Sequence, residues 1–275
     1  MPNWGDQLGF YLFERFFADY SPVSIANYRL KKVNNIQDAN VVGIGSTIDI
    51  IPDAWDGIIA GTGALRPNSH YLNEMNATIM GVRGRLTINY PKDEYPQGLP
   101  FVVGDPGLVV PCIFNTRLIK DISEHADIGI LPHWSDAALR YDPRFYGPWK
   151  TKVISPFRDP RDVIFDIISC DKIVTSSLHG VVLADAYGIP RRIVPGWTML
   201  NSPYEGEMFK FIDYMSALDM EYQPEVLEKA DKNAVEKVQN EIFEMYKLIP
   251  KYILNDHNPN HTDITYDNGG DAPIS

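Results

Sequence analysis

Cysteine is scarce in this chain: Cys112 and Cys170 are the only two among 275 residues, and neither belongs to a CxxC pair. That excludes a readable zinc ribbon or dithiol redox motif, and a reducing cytoplasm is a simpler setting than one disulfide. Long apolar runs are missing as well. No stretch reaches the roughly 18 apolar residues of a membrane-spanning helix. The first residues lack the basic, then apolar, then small-residue order of a secretion signal. Positive charge is in deficit, with 25 Lys and Arg against 36 Asp and Glu and a net charge of −11. So acidic a surface argues against general nucleic-acid binding, which needs cations on the phosphates. An anionic ligand would need a local positive pocket, set against the overall field. There is no internal repeat, and no cluster of metal ligands is readable.

What is present is ordinary globular material: 44% hydrophobic and 22% charged residues, enough to bury a sizeable core. An early helix is expected over Asp6 to Tyr20, where Leu8, Leu12, Phe13, Phe16 and Phe17 recur near the helical period. Four apolar runs closed by glycine follow, at Val41–Ser46, Gly57–Gly61, Ile79–Gly84 and Phe101–Pro106. They read as buried strands of a mostly parallel sheet with functional loops at their ends. Arg85 to Asn89 starts a helix. A second β-α-β-α-β set runs through strands at Asp127–Leu131, Lys152–Ser155, Lys172–Thr175 and Arg191–Val194, with helices at Asp159–Ser169 and Leu178–Tyr187. The expected organisation is α/β: an N-terminal half over 1–120, a C-terminal half over 121–256, and a disordered acidic tail over 257–275. Gln223 to Leu248 reads as one long helix lying across the surface.

The strongest constellation is Thr175-Ser176-Ser177-Leu178-His179-Gly180, a strand end passing straight into a helix. Free N–H groups and the positive end of the helix dipole favour an anion there. Ser176 and Ser177 suit helix capping or phosphate oxygens, Gly180 allows close backbone approach, and His179 can carry a proton. The same residues also suit a capped core helix with a satisfied histidine. Asn3-Trp4-Gly5-Asp6 opens a helix and fits a hydroxylated ligand or plain capping by Asp6. Arg83, in Gly81-Val82-Arg83-Gly84-Arg85, suits a carboxylate or phosphate, or else a surface ion pair. His133 lies at a strand's carboxyl end, where open α/β sheets bind ligands. Lys210 sits among aromatics in Phe209–Tyr214, which also reads as an amphipathic helix with a solvated lysine. Gly43-Ile44-Gly45-Ser46 and Gly61-Thr62-Gly63 are tight turns that match neither a Walker loop nor a full GxGxxG.

Taken in order, these motifs resemble the polysaccharide pyruvyl transferase family, above all the short ketal-pyruvate transferases of bacterial exopolysaccharide assembly. The matching segments run from about residue 3 to about residue 215. Ser176–Pro190 is the most specific, and Gly104-Asp105-Pro106-Gly107 adds to it. The resemblance implies two Rossmann-like halves in a glycosyltransferase-B-like arrangement. It implies transfer of the enolpyruvyl unit of phosphoenolpyruvate to a sugar or lipid-linked oligosaccharide, giving a pyruvate ketal, with no cofactor beyond that donor. The setting implied is the cytoplasm, with peripheral contact at the inner membrane face. On this reading His179 and Asp6 are catalytic. Arg83, Ser176, Ser177, Leu178, Gly180 and Lys210 hold the donor, and Asn3, Gly5 and His133 support the acceptor. Two departures stand out: Ser177 replaces an arginine that some members carry before the Leu-His, and no strand precedes Asn3, which suggests a truncated or restarted N-terminus. A nucleotide-sugar glycosyltransferase using Glu205 and Asp213, and a non-catalytic carbohydrate-binding protein, are the alternatives.

Overall fold

A computed structural model describes residues 4–17, 41–67, 75–88, 101–115, 124–136, 147–194, 196 and 206–256. Asn3, Tyr20, Asn89, Glu205, the junction at 116–123 and the tail at 257–275 lie outside them. Helix α1 spans Trp4–Phe16. Trp4, Leu8 and Leu12 recur every four residues and are fully buried, so they form the stripe that docks the helix. Strands β1 (Val41–Val42), β2 (Ile58–Ala60) and β3 (Thr78–Val82) follow, then a one-turn helix α2 (Arg85–Ile88) and β4 (Val102–Val103). These strands pair in chain order and all run parallel. The four glycine-closed runs of the sequence are these four strands.

A 3-10 helix over Pro106–Cys112 comes next, capped by the Asp105 side chain, which accepts from the Gly107 N–H at 2.8 Å. Then come β5 (Ala126–Leu131), β6 (Thr151–Val153), α3 (Pro160–Ile168), β7 (Cys170–Thr175), α4 (Leu178–Ala186) and β8 (Arg191–Ile193). Helix α5 (Gly206–Ala217), β9 (Leu227–Glu228) and α6 (Lys232–Asp256) complete the order. The second sheet is ordered β6-β5-β7-β8-β9, parallel except for β9. Its order reverses at β5, between β6 on one side and β7 on the other. In open α/β sheets that reversal opens a crevice at the strands' carboxyl ends.

Helix α3 starts as its sequence dictates: Asp159 caps it by accepting from the Arg161 N–H, and Pro160 occupies the first turn. Helix α4 is apolar all round, and eight of its nine residues, Leu178 to Asp185, are buried. The long helix starts at Lys232, nine residues later than expected, because Leu227 and Glu228 pair with β8 instead. It buries Val235, Val238, Ile242, Met245, Tyr246 and Ile249 along one stripe. Its Gln239 amide donates to the Leu108 carbonyl at 2.8 Å. One buried cluster takes in Trp4, Met80 and Val102 with Leu131, Ile164, Val182 and Tyr246, so side chains from both sheets share a core. Both cysteines are free thiols. Among the described residues no helix is long and apolar enough to cross a membrane.

Candidate active site

The carboxyl ends of β5 and β7, at the reversal point, carry His133 and the Ser176–His179 segment. Their loops are cross-linked. Ser176 Oγ donates to Asp136 Oδ2 at 2.8 Å and accepts from the His133 N–H at 2.8 Å. His133 Nδ1 lies 2.7 Å from Ser135 Oγ. Ser176 is therefore engaged in positioning the β5 loop. Ser177 caps α4 through its backbone, with no capping bond from its side chain. Leu178 packs into the core. Gly180 fits where it does because a Cβ would stand 2.5 Å from Thr175 Oγ1 and 3.1 Å from Leu131. Leu178 and Gly180 thus seat the start of α4 against the sheet.

His179 projects from the first turn of α4 and is 6% exposed. Its Nε2 is buried with no hydrogen-bond partner. Its ring meets the start of α1. A Cβ on Gly5 would lie 2.1 Å from His179 Nδ1, so only glycine fits there. The Trp4 ring stands edge-on to the imidazole, 6.2 Å between centroids at 73°. Trp4 itself is anchored by its N–H to the Pro156 carbonyl at 3.4 Å, beside the end of β6. The Trp4 indole Nε1 is also buried without a partner. An unpaired buried polar group costs about 1–3 kcal/mol, so two neighbouring ones call for an explanation.

The electrostatics are equally marked. Burial pushes the His179 imidazole down to about 3, and the charges of Arg83, Lys210 and His133 push the same way. Burial and Lys210 lower His133 to about 3. Both rings are neutral at pH 7. Arg83, Lys210 and His133 thus converge electrostatically on His179, although they come from β3, α5 and β5. The cations that bear on His179 are Arg83 and Lys210, both buried.

Arg83 is held rather than free. Its Nε and Nη2 lie 3.0 and 2.9 Å from Asp213 Oδ2, Nη2 donates to the Ala64 carbonyl at 2.6 Å, and Nη1 donates to Ser46 Oγ. Gly63 makes room for the guanidinium, since a Cβ there would sit 2.3 Å from its central carbon. Asp213 also accepts from the Thr87 N–H and hydroxyl at 2.8 and 2.7 Å. That carboxylate is committed to Arg83 and Thr87, which removes the spare acid a Glu205–Asp213 pair would need. Lys210, one turn earlier on α5, is 6% exposed, not the solvated lysine its amphipathic reading suggested. Asp6 lies in α1, and its side chain, like Asn3, falls outside the described residues.

Asp136 escaped the sequence reading, as did the contact of Trp4 with His179 and the pairing of Arg83 with Asp213. Their partners lie far along the chain, so no local pattern marks them. Away from this site, exposed His125 and Asp171 and half-buried Asp127 bring their ligand atoms within 4.8 Å of one another at the opposite ends of β5 and β7. His125 Nδ1 lies 3.1 Å from the Ser169 carbonyl, and Asp127 accepts from the Lys150 N–H at 2.7 Å.

The fold is that of an α/β protein, with a buried histidine at a helix start near the carboxyl ends of β5 and β7. The chain belongs to the polysaccharide pyruvyl transferase family, whose model matches residues 5–195. That match spans His179, His133, Arg83 and the Ser176–Gly180 segment, and stops short of Lys210 and Asp213. An uncharacterised protein of Acanthamoeba polyphaga mimivirus, L143, is 30% identical over 169 residues, 60% of this chain and 55% of that protein. The succinoglycan biosynthesis protein ExoV of Rhizobium meliloti (strain 1021) is 25% identical over 227 residues, 81% of this chain and 63% of that protein. The chain thus spans less than two thirds of the length of either relative. No solved structure matches it.

Proposed function

We propose that the chain transfers the pyruvyl unit of phosphoenolpyruvate to a sugar of a polysaccharide or its lipid-linked precursor, closing a pyruvate ketal. One observation carries the reading: a buried histidine with an unpartnered nitrogen at the start of α4, with the charges of Arg83 and Lys210 bearing on it. A small, multiply charged anion is the ligand that such a locus suits best. In the proposed reaction the methylene carbon of the donor gains a proton and its neighbour becomes electrophilic. One sugar hydroxyl adds there, and a second displaces phosphate to close the ring. His179 carries the proton or steadies the departing phosphate, Lys210 and the α4 start face the donor, and Arg83 supplies charge from its place beside Asp213. Ser176, Ser177, Leu178 and Gly180 shape that end of the pocket, and His133 with Gly5 and Asn3 borders the acceptor. Asp6 is proposed to receive a sugar hydroxyl's proton.

The wider setting belongs to the same proposal: two Rossmann-like halves in a glycosyltransferase-B-like arrangement, no cofactor beyond the donor, and action at the inner face of the membrane. ExoV's role in succinoglycan biosynthesis supports the choice of an exopolysaccharide acceptor. The test is phosphate release from phosphoenolpyruvate over a panel of sugar and lipid-linked acceptors, with the ketal sought by mass spectrometry. Phosphate release that depends on an acceptor, with a matching mass gain, is expected. Saturable binding of a nucleotide sugar without any response to phosphoenolpyruvate would overturn the reading.

A further inference from the structure

We infer that Trp4 is a ligand-binding residue: its indole N–H and His179 Nε2 together hold one anionic oxygen of the donor. The inference rests on the donor reading above and gives a role to Trp4, a residue to which the sequence motifs assign none. Trp4 is fully buried, yet its Nε1 has no partner, and the histidine packed against its ring has an unpartnered Nε2. Indole nitrogen can only donate, so the atom it awaits must be an acceptor. The positive charge of Arg83 and Lys210 bearing on His179 selects a negatively charged acceptor over a neutral one.

The local build favours a fixed contact. Trp4 opens α1, and its backbone N–H is tied to Pro156. Gly5 lets α1 press against the imidazole. Two helix starts, those of α1 and α4, therefore meet at this pair of rings, and each adds the positive end of its dipole. Phosphate and carboxylate oxygens share the required chemistry, and the donor offers both.

The experiment is calorimetric titration of the full chain with phosphoenolpyruvate, inorganic phosphate and pyruvate, in wild type and Trp4→Phe. Phenylalanine keeps an aromatic ring and deletes the N–H. The expected result is phosphoenolpyruvate binding at least about ten-fold weaker in Trp4→Phe, the scale of one hydrogen bond to a charged group. A parallel loss for phosphate places the contact at the phosphate end, and a parallel loss for pyruvate places it at the carboxylate. Unchanged donor affinity in a folded Trp4→Phe protein, whatever its melting temperature, overturns the inference and leaves the donor reading intact. A wild-type protein that binds neither phosphoenolpyruvate nor phosphate overturns the donor reading, and the inference falls with it. Should Trp4→Phe fail to fold, benzothienylalanine at position 4 decides the matter, since it preserves the fused ring and lacks the N–H.

Discussion

Among the described residues two arginines, Arg83 and Arg191, are completely buried, and their surroundings differ in one respect. Arg191 faces two carboxylates: Asp185, at 3.2 and 3.4 Å from Nε and Nη2, and Glu228 on Nη1. Tyr214 closes the group by donating to Asp185 at 3.0 Å. Among the described residues Arg83 touches one carboxylate, Asp213, and its remaining donors go to a hydroxyl and a carbonyl. The Arg191 group joins α4, β8 and β9 with no cationic surplus. Arg83 is balanced by Asp213, with the Asp105 carboxyl also near it, and Lys210 bears on His179 from the same helix as Asp213. A buried guanidinium therefore does not by itself mark an anion site. What differs is the set of direct partners: two carboxylates touch Arg191, and among the described residues one touches Arg83.

The harshest way to break this comparison is to remove one acid from each pocket. Asp213→Ala strips Arg83 of the carboxylate that touches it and should cost about 3–5 kcal/mol in urea unfolding, the scale for an uncompensated buried charge. Asp185→Ala leaves Glu228 on Arg191 and should cost about 1–3 kcal/mol. Equal losses would show that the two pockets are balanced alike. Next comes chemistry. His179→Ala should lower ketal formation by at least about 10²-fold, the low end for a lost acid–base group, with a smaller loss of donor affinity. His179→Gln should recover binding better than rate. A folded His179→Ala protein within a few-fold of wild-type turnover would return His179 to a packing role.

How far the sequence foretold all this depends on the range of each interaction. The glycine-closed strands, the Asp159-Pro160 helix start and the Leu178 helix are set by neighbours in the chain; both helices appear within a residue of their expected bounds, while β1 and β4 stop three or four residues before the ends of their runs. Strand β9 has no sequence signal because Leu227–Glu228 is too short to show a period. What fixes it is pairing with β8, together with the Arg192–Glu225 and Arg191–Glu228 ion pairs. For Lys210 the residues alone allow either a solvated lysine or a donor contact, and its burial beside Phe209, Phe211, Asp213, Tyr214 and Met215 removes the solvated one. In the site, His179 and its helix start were legible as a strand-end motif. Asp213 was not, because the arginine it holds is 130 residues away. Asp136 is bound to a serine 40 residues away.

A milder probe uses the acid that lies near Arg83 without touching it. Burial raises the Asp105 carboxyl to about 6, against the pull of the Gly107 N–H and Arg83, and its Oδ2 has no partner. The folded pKa lies above the unfolded value of 3.8. Ionised Asp105 therefore costs stability above about pH 6 and not below about pH 4. Asp105→Asn carries no charge at any pH, so its stability relative to wild type should rise as pH goes from 4 to 8. The gain should be on the order of 2 kcal/mol. Denaturant melts at pH 4.5, 6 and 8 measure it, and a difference that does not change with pH would remove Asp105 from the titrating groups of the core.

The smallest expected effect is a fraction of a proton, and it separates the two pockets most cleanly. His179 is neutral at pH 7 because burial and nearby positive charges hold its imidazole at about 3. An anion placed against Nε2 favours the imidazolium and raises that pKa, while Arg83 and Lys210 oppose the rise. Donor binding should then draw protons from solution, by less than one per site and by more at pH 6.5 than at pH 8. Titrations in buffers of different ionisation enthalpy count those protons. The donor's own phosphate also titrates near pH 6.5, so the informative number is the difference between wild type and His179→Gln, which removes the imidazole and leaves the ligand unchanged. Tyr214→Phe alters only the closed Arg191 pocket and should keep the wild-type count. If wild type and His179→Gln take up the same number of protons, His179 stays neutral in the complex. Its part would then be limited to a hydrogen bond, and the proton carrier would have to be sought at His133 or Asp6.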